Sequence, residues 1–99
     1  MAIMEISIVP VGTGTASVSK YIAAAVKVLE SRGVKYQLTA MGTIVEGETG
    51  ELLRLAQEMQ EAVFRMGVSR IVTKINLDER RDKKMTMETK VESVREKMK

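Results

Sequence analysis

Two amphipathic helical patterns, each stopped by a glycine and each followed by a strand, constrain this chain more than any other feature. Val18, Tyr21, Ile22, Ala25, Val28 and Leu29 recur at helical spacing, and Gly33 ends the run as a left-handed C-cap. Leu52, Leu55, Ala56, Met59, Val63 and Met66 repeat the pattern, and Gly67 ends it. The first helix is expected over Ser17–Ser31, with Thr15 or Ser17 capping its free amides, and the second over Glu51–Met66. A strand over residues 3–11 precedes them, alternating through Met4, Ile6 and Ile8 until Pro10 removes an amide hydrogen. Another, Ser69–Asp78, follows, with Ile71, Thr73, Ile75 and Leu77 on one face. Between the helices, strands at Lys35–Ala40 and Thr43–Glu48 leave room only for a tight hairpin at Met41-Gly42. Beyond a charged turn, Thr86–Lys99 reads as a third helix whose Met87, Val91, Val94 and Met98 form a narrow seam suited to a neighbour.

The resulting order is β-α-β-β-α-β plus a terminal helix. Right-handed crossovers put both main helices on one face of a four-stranded antiparallel sheet, an α+β, ferredoxin-like sandwich with an added C-terminal helix. Ninety-nine residues suffice for one packed core and not two, so residues 1–99 read as a single domain. Met4, Ile6, Ile8, Leu38, Ile71 and Ile75 are expected beneath the helices. The open face then carries Glu5, Ser7, Val9, Gln37, Thr39, Val72, Lys74 and Asn76, and pointing Thr43 and Val45 inward sends Ile44 and Glu46 there too. Such a mixed face is expected to be covered by a second subunit, giving a dimer or a tetramer of closed symmetry.

Composition narrows the chemistry. The chain has no cysteine and no histidine, so thiolate chemistry, the usual general base near neutral pH and the commonest metal ligand are all missing. A non-catalytic protein without cofactor or metal is expected. No apolar run approaches the roughly 20 residues of a spanning helix, and no signal peptide opens the sequence, so a cytoplasmic location is expected. The net charge of +3 is uneven: residues 65–99 hold eleven basic and six acidic side chains, against five and seven in residues 1–64. Because Asp78, Glu79 and Asp82 interleave with Arg80, Arg81, Lys83 and Lys84, an ion-paired surface is preferred to a nucleic-acid or cation site. Base stacking would have to rely on Tyr21, Tyr36 and Phe64, the only aromatic residues.

Glu46 asks the sharpest question, because an unpaired carboxylate in an apolar strand is costly. With Ser7, Thr39, Thr43 and Asn76 it would form a polar pocket for a cationic ligand with hydrogen-bonding edges. The blander alternative, preferred on spacing alone, pairs Glu46 with Lys74 or with a neighbouring subunit. Gly12-Thr13-Gly14-Thr15 lacks the length and lysine of a phosphate loop and reads as a flexible link. Tyr21, Tyr36 and most of the eight methionines read as packing residues.

Several segments nonetheless resemble the small thiamine-binding protein family. They include Val9-Pro10-Val11-Gly12-Thr13-Gly14, Ser19-Lys20-Tyr21-Ile22, Val34-Lys35-Tyr36-Gln37-Leu38 and Glu61-Ala62-Val63-Phe64. Arg70-Ile71-Val72-Thr73 and Lys90-Val91-Glu92-Ser93-Val94 belong with them. Met41-Gly42-Thr43-Ile44-Val45-Glu46-Gly47 and Asp78-Glu79-Arg80-Arg81-Asp82 contain the most specific pieces. The resemblance implies ferredoxin-like domains that dimerise through their sheets, often form tetramers, and bind thiamine or its hydroxymethylpyrimidine part without transforming it. On that footing Glu46 would balance the thiazolium charge, Ser7, Thr43 or Asn76 would answer the aminopyrimidine, and Tyr36 would supply a flat contact. A structural or regulatory protein-interaction module, using the open face and last helix, is the alternative.

Overall fold

The computed structural model describes residues 1–99 and orders them as β1 (Ala2–Pro10), α1 (Ser19–Arg32), β2 (Tyr36–Leu38), β3 (Thr43–Gly47), α2 (Thr49–Phe64), β4 (Ile71–Glu79) and α3 (Met87–Lys97). The four strands form one antiparallel sheet in the order β2-β3-β1-β4, the ferredoxin-like arrangement expected. β1 is central because it alternates buried and more exposed residues along its full length, giving α1 and α2 a continuous apolar face. Met4, Ile6, Leu29, Val45, Leu52, Met59 and Val63 are the largest fully enclosed side chains and lie between that face and the two helices. No helix is long and apolar enough to cross a membrane.

Gly33 stops α1 at φ +66°, a left-handed conformation that a side chain would disfavour. The start of α1 departs from expectation. Val18 occupies the N-cap and offers no side-chain bond; Thr15 instead accepts from the Ser17 amide, and Thr13 donates to the Thr15 carbonyl. The threonines therefore order their own loop and do not cap the helix.

The edges of the sheet are the least covered. β2 has only three residues, and Leu38, expected in the core, is 56% exposed. Ile75, also expected under the helices, stays half-exposed on β4, as does Leu77. Each edge strand has a partner on one side only, and the fully enclosed strand residues of the core come from β1 and β3, so correct parity does not guarantee burial.

α3 approaches the sheet from the other side. Thr86 and Thr89 form a reciprocal capping box, which satisfies two amides at its start. Met85 and Met87 are buried, whereas Val91, Val94 and Met98 remain exposed. The helix is anchored at one end only.

Candidate functional site

The pairing Tyr36↔Val45, Leu38↔Thr43 and Ile6↔Thr43 places Tyr36 and Thr43 on the helix side of the sheet. Glu46 opposes Ile3, and Asn76 opposes Glu5, so Glu46, Asn76 and Ser7 project from the open side. The five expected ligand contacts therefore do not form one constellation. Tyr36 and Glu46 in particular sit on opposite faces, and Tyr36 packs against the core cluster.

Glu46 has found its compensation within the chain. It is 7% exposed; its Oε2 accepts the Met87 amide at 2.8 Å and lies 3.3 Å from Lys35 Nζ. The amide belongs to the first turn of α3, where a helix end favours negative charge. Lys35 also donates to Glu88 of that turn, which holds the Glu88 carboxyl below its ordinary value and the Lys35 amine above its own, with Glu46 adding to the latter. Glu46 thus fastens α3 to the sheet; the pairing preferred on spacing is present within the chain, with Lys35 in place of Lys74. Lys74 is not the partner, because β1 separates β3 from β4 and two strand spacings amount to about 9.5 Å.

The other end of β1 carries a cleft. β3 begins at Thr43, opposite Ile6, so Ser7, Ile8 and Val9 extend beyond its cover. α1 passes above this gap with Val18, Ile22 and Ala25, and the 39–42 hairpin forms the outer rim. The cavity measures about 220 Å³ and is largely apolar, with Ser7, Thr39 and Thr43 as the hydroxyl-bearing residues of its lining. Thr39 is engaged in the turn, donating to the Gly42 carbonyl and accepting from the amides of Met41 and Gly42. Ser7 and Thr43 take no part in that turn.

Gly42 brings the rim hard against β1. A Cβ at this position would lie 3.1 Å from the Ile6 carbonyl oxygen and 3.5 Å from Glu5 Cγ. Glu5 therefore flanks the mouth of the cleft on the open face, where Asn76 Nδ2 donates to its Oε1 at 3.1 Å. Sequence reasoning paired Asn76 with a ligand and passed over Glu5. The cross-strand register Glu5↔Asn76 would have suggested the link, since opposed side chains on one face are neighbours. No group of three or more acidic side chains converges on a metal-sized site.

The topology and the two helices on one face of the antiparallel sheet define an α+β, ferredoxin-like domain with an apolar cleft at one end of β1. A family model described as Thiamine-binding protein matches residues 4–95, and the chain belongs to that family. YqgV, a UPF0045 protein of Bacillus subtilis, is 49% identical over 98 residues, covering 95% of this chain and 94% of its own length. The crystal structure of MJ1052 from Methanocaldococcus jannaschii, 39% identical, superposes with a TM-score of 0.87 over 96% of each chain. A Thermotoga maritima protein provisionally assigned to thiamine biosynthesis or salvage is 25% identical and superposes with a TM-score of 0.80, over 94% of this chain and 97% of that one. The family and this neighbour support a general thiamine-related role.

Proposed function

We propose that residues 1–99 act as one cytoplasmic unit that binds thiamine, or its hydroxymethylpyrimidine moiety, without transforming it, and so buffers or delivers it. The observation that carries this reading is the cleft at the end of β1 in a chain of the thiamine-binding family. At about 220 Å³ it is smaller than the roughly 300–1,000 Å³ that encloses a drug-sized ligand. The pyrimidine half enters, hydrogen-bonded by Ser7 and Thr43, and the thiazolium stays at the mouth beside Glu5. Asn76 acts on the ligand through Glu5, and Glu46 and Tyr36 hold the scaffold.

The open face is covered by a second copy in this reading, giving a dimer or a tetramer. Support comes from Val9 and Val72, which oppose each other and are both half-exposed, and from the exposed apolar side of α3. The same exposed Val91 and Val94 favour the second reading, a protein-interaction module; it predicts a stoichiometric protein partner whose capture survives Ser7→Ala.

Calorimetric titration with thiamine, its phosphates and free hydroxymethylpyrimidine tests the proposal. Saturable binding is expected for thiamine and the pyrimidine. Ser7→Ala and Thr43→Val should each weaken it by about 2–10-fold, the worth of one neutral hydrogen bond of roughly 0.5–1.5 kcal/mol. Glu5→Gln should weaken thiamine and spare the uncharged pyrimidine. Failure of every compound to saturate would reject the ligand.

A further inference from the structure

A polar pocket of about 290 Å³ lies between the end of β4 and the flank of α3, far from the cleft. Arg80, Lys83, Lys84 and Lys90 line it against a single carboxylate, Asp78, and Thr89 and Ser93 of α3 add hydroxyls. Two of the cations are already occupied: Arg80 grips Asp82 through Nε and Nη2, and Lys90 pairs with Asp78. Lys83 and Lys84 have no carboxylate within ion-pair distance, as the ion pairs around them engage Arg80, Arg81 and Lys90. A concave surface that gathers like charges focuses their field and attracts a counter-ion.

The pocket is held open by its surroundings. Met85 and Met87 are buried on either side of the α3 cap, the Arg80 amide donates to the Met1 carbonyl, and Lys90 ties α3 to β4. Its lysines are therefore carried on a turn fixed at both ends.

We infer that this pocket is an anion site for a diphosphate group, read chiefly by Lys83 and Lys84. With Arg80 and Lys90 paired, the two free ammonium groups of Lys83 and Lys84 suit a polyvalent anion better than a single carboxylate. A phosphate monoester already carries about −1.5 to −2 charges near neutral pH, and a diphosphate carries more. No aromatic residue lines the pocket, so it offers no platform for stacking a nucleic-acid base. The site is independent of the cleft. Met1, whose carbonyl accepts the Arg80 amide just before β1, and Ser7 at the cleft are six residues apart, roughly 20 Å of extended chain.

The test is titration of the full chain with inorganic pyrophosphate, with ADP, and with a short single-stranded oligonucleotide, at two salt concentrations. Saturable pyrophosphate binding is expected, weakened at least tenfold by Lys83→Ala/Lys84→Ala and largely retained by Lys83→Arg/Lys84→Arg. Equal binding of ADP would place the recognition on the diphosphate itself; pyrophosphate binding without ADP binding would assign the site to the free ion. Thiamine titration and thermal melting of the double alanine variant should match the parent, which separates loss of the site from loss of the fold or of the cleft. Absence of saturable pyrophosphate binding, or binding unchanged in the double alanine variant, overturns the inference. So does an oligonucleotide that outcompetes pyrophosphate with a steep salt dependence, which would make the surface a nucleic-acid contact.

Discussion

α2 and α3 carry apolar stripes of similar spacing, and the fold treats them in opposite ways. α2 buries Leu52, Leu55, Ala56, Met59 and Val63 against the sheet and α1. α3 buries Met87 alone and is held at its first turn by Glu46, Lys35 and Asp78, while Val94 stays 59% exposed. One helix is fastened by packing, the other by charge. An apolar seam states that a helix wants a surface; it does not state which surface, or whether its own chain supplies one.

The largest break in this contrast is expected from Leu52→Ala. Its side chain is fully enclosed, so truncation should cost about 2–5 kcal/mol by denaturant unfolding. Val94→Ser, the matching change in α3, should stay within about 0.5 kcal/mol in the isolated chain. If a second copy covers the seam as proposed, Val94→Ser should instead weaken self-association in sedimentation measurements.

Glu46→Ala comes next. It strands the Met87 amide and leaves Lys35 with Glu88 alone, which should cost about 1–3 kcal/mol. Hydrogen exchange should localise the damage: amides of residues 87–97 should lose protection while those of α2 keep theirs. Uniform loss across both helices would mean that α3 is integral to the core.

The smallest effect is expected from pH. Glu88 is lowered in the fold, so its contribution is present above the ordinary value of 4.5 and disappears as pH falls through the lower folded value. Lys35 is raised, so its contribution is present below 10.5 and disappears as pH rises through the higher folded value. Protection factors of the α3 amides, which divide out the intrinsic pH dependence of exchange, should therefore fall at both extremes and stay level between them. Both groups are solvent-exposed, so the change should be slight and should shrink further in salt.

Much of this architecture was legible in the sequence because local signals agreed with one another. The glycine stop at Gly33, the period of two in β1 and the short Met41-Gly42 connection each allow few alternatives, and together they allow one topology; Gly67 is not the stop expected of it, since α2 ends at Phe64 with Arg65 as its C-cap. Strand parity also sent Glu46 to the open face, as observed. What parity could not reveal was the partner. Met87 meets Glu46 only because α3 folds back over the open face, a contact between residues 41 apart that no local pattern encodes. Lys35 stands across the β2–β3 hairpin from Glu46, where its carbonyl accepts the Glu46 amide. The cleft escaped notice for a related reason: it arises where β3 stops short of the end of β1, and a strand end is the feature that periodicity locates least well. Ser7 and Thr43 both line that cleft although their side chains leave the sheet on opposite faces, which a face-by-face reading would never have joined.

The narrow passage between Gly42 and the Ile6 carbonyl makes the hairpin tip a calibrated spacer. An added methyl group there would have to move backbone, not a pliant side chain, by a few tenths of an ångström. Met41 and Ala40 would travel with it, so the aperture over Ser7 can be retuned by one substitution that touches neither hydroxyl. Under the proposed function, selectivity among ring-sized guests can in this way evolve through the backbone spacing of one rim glycine.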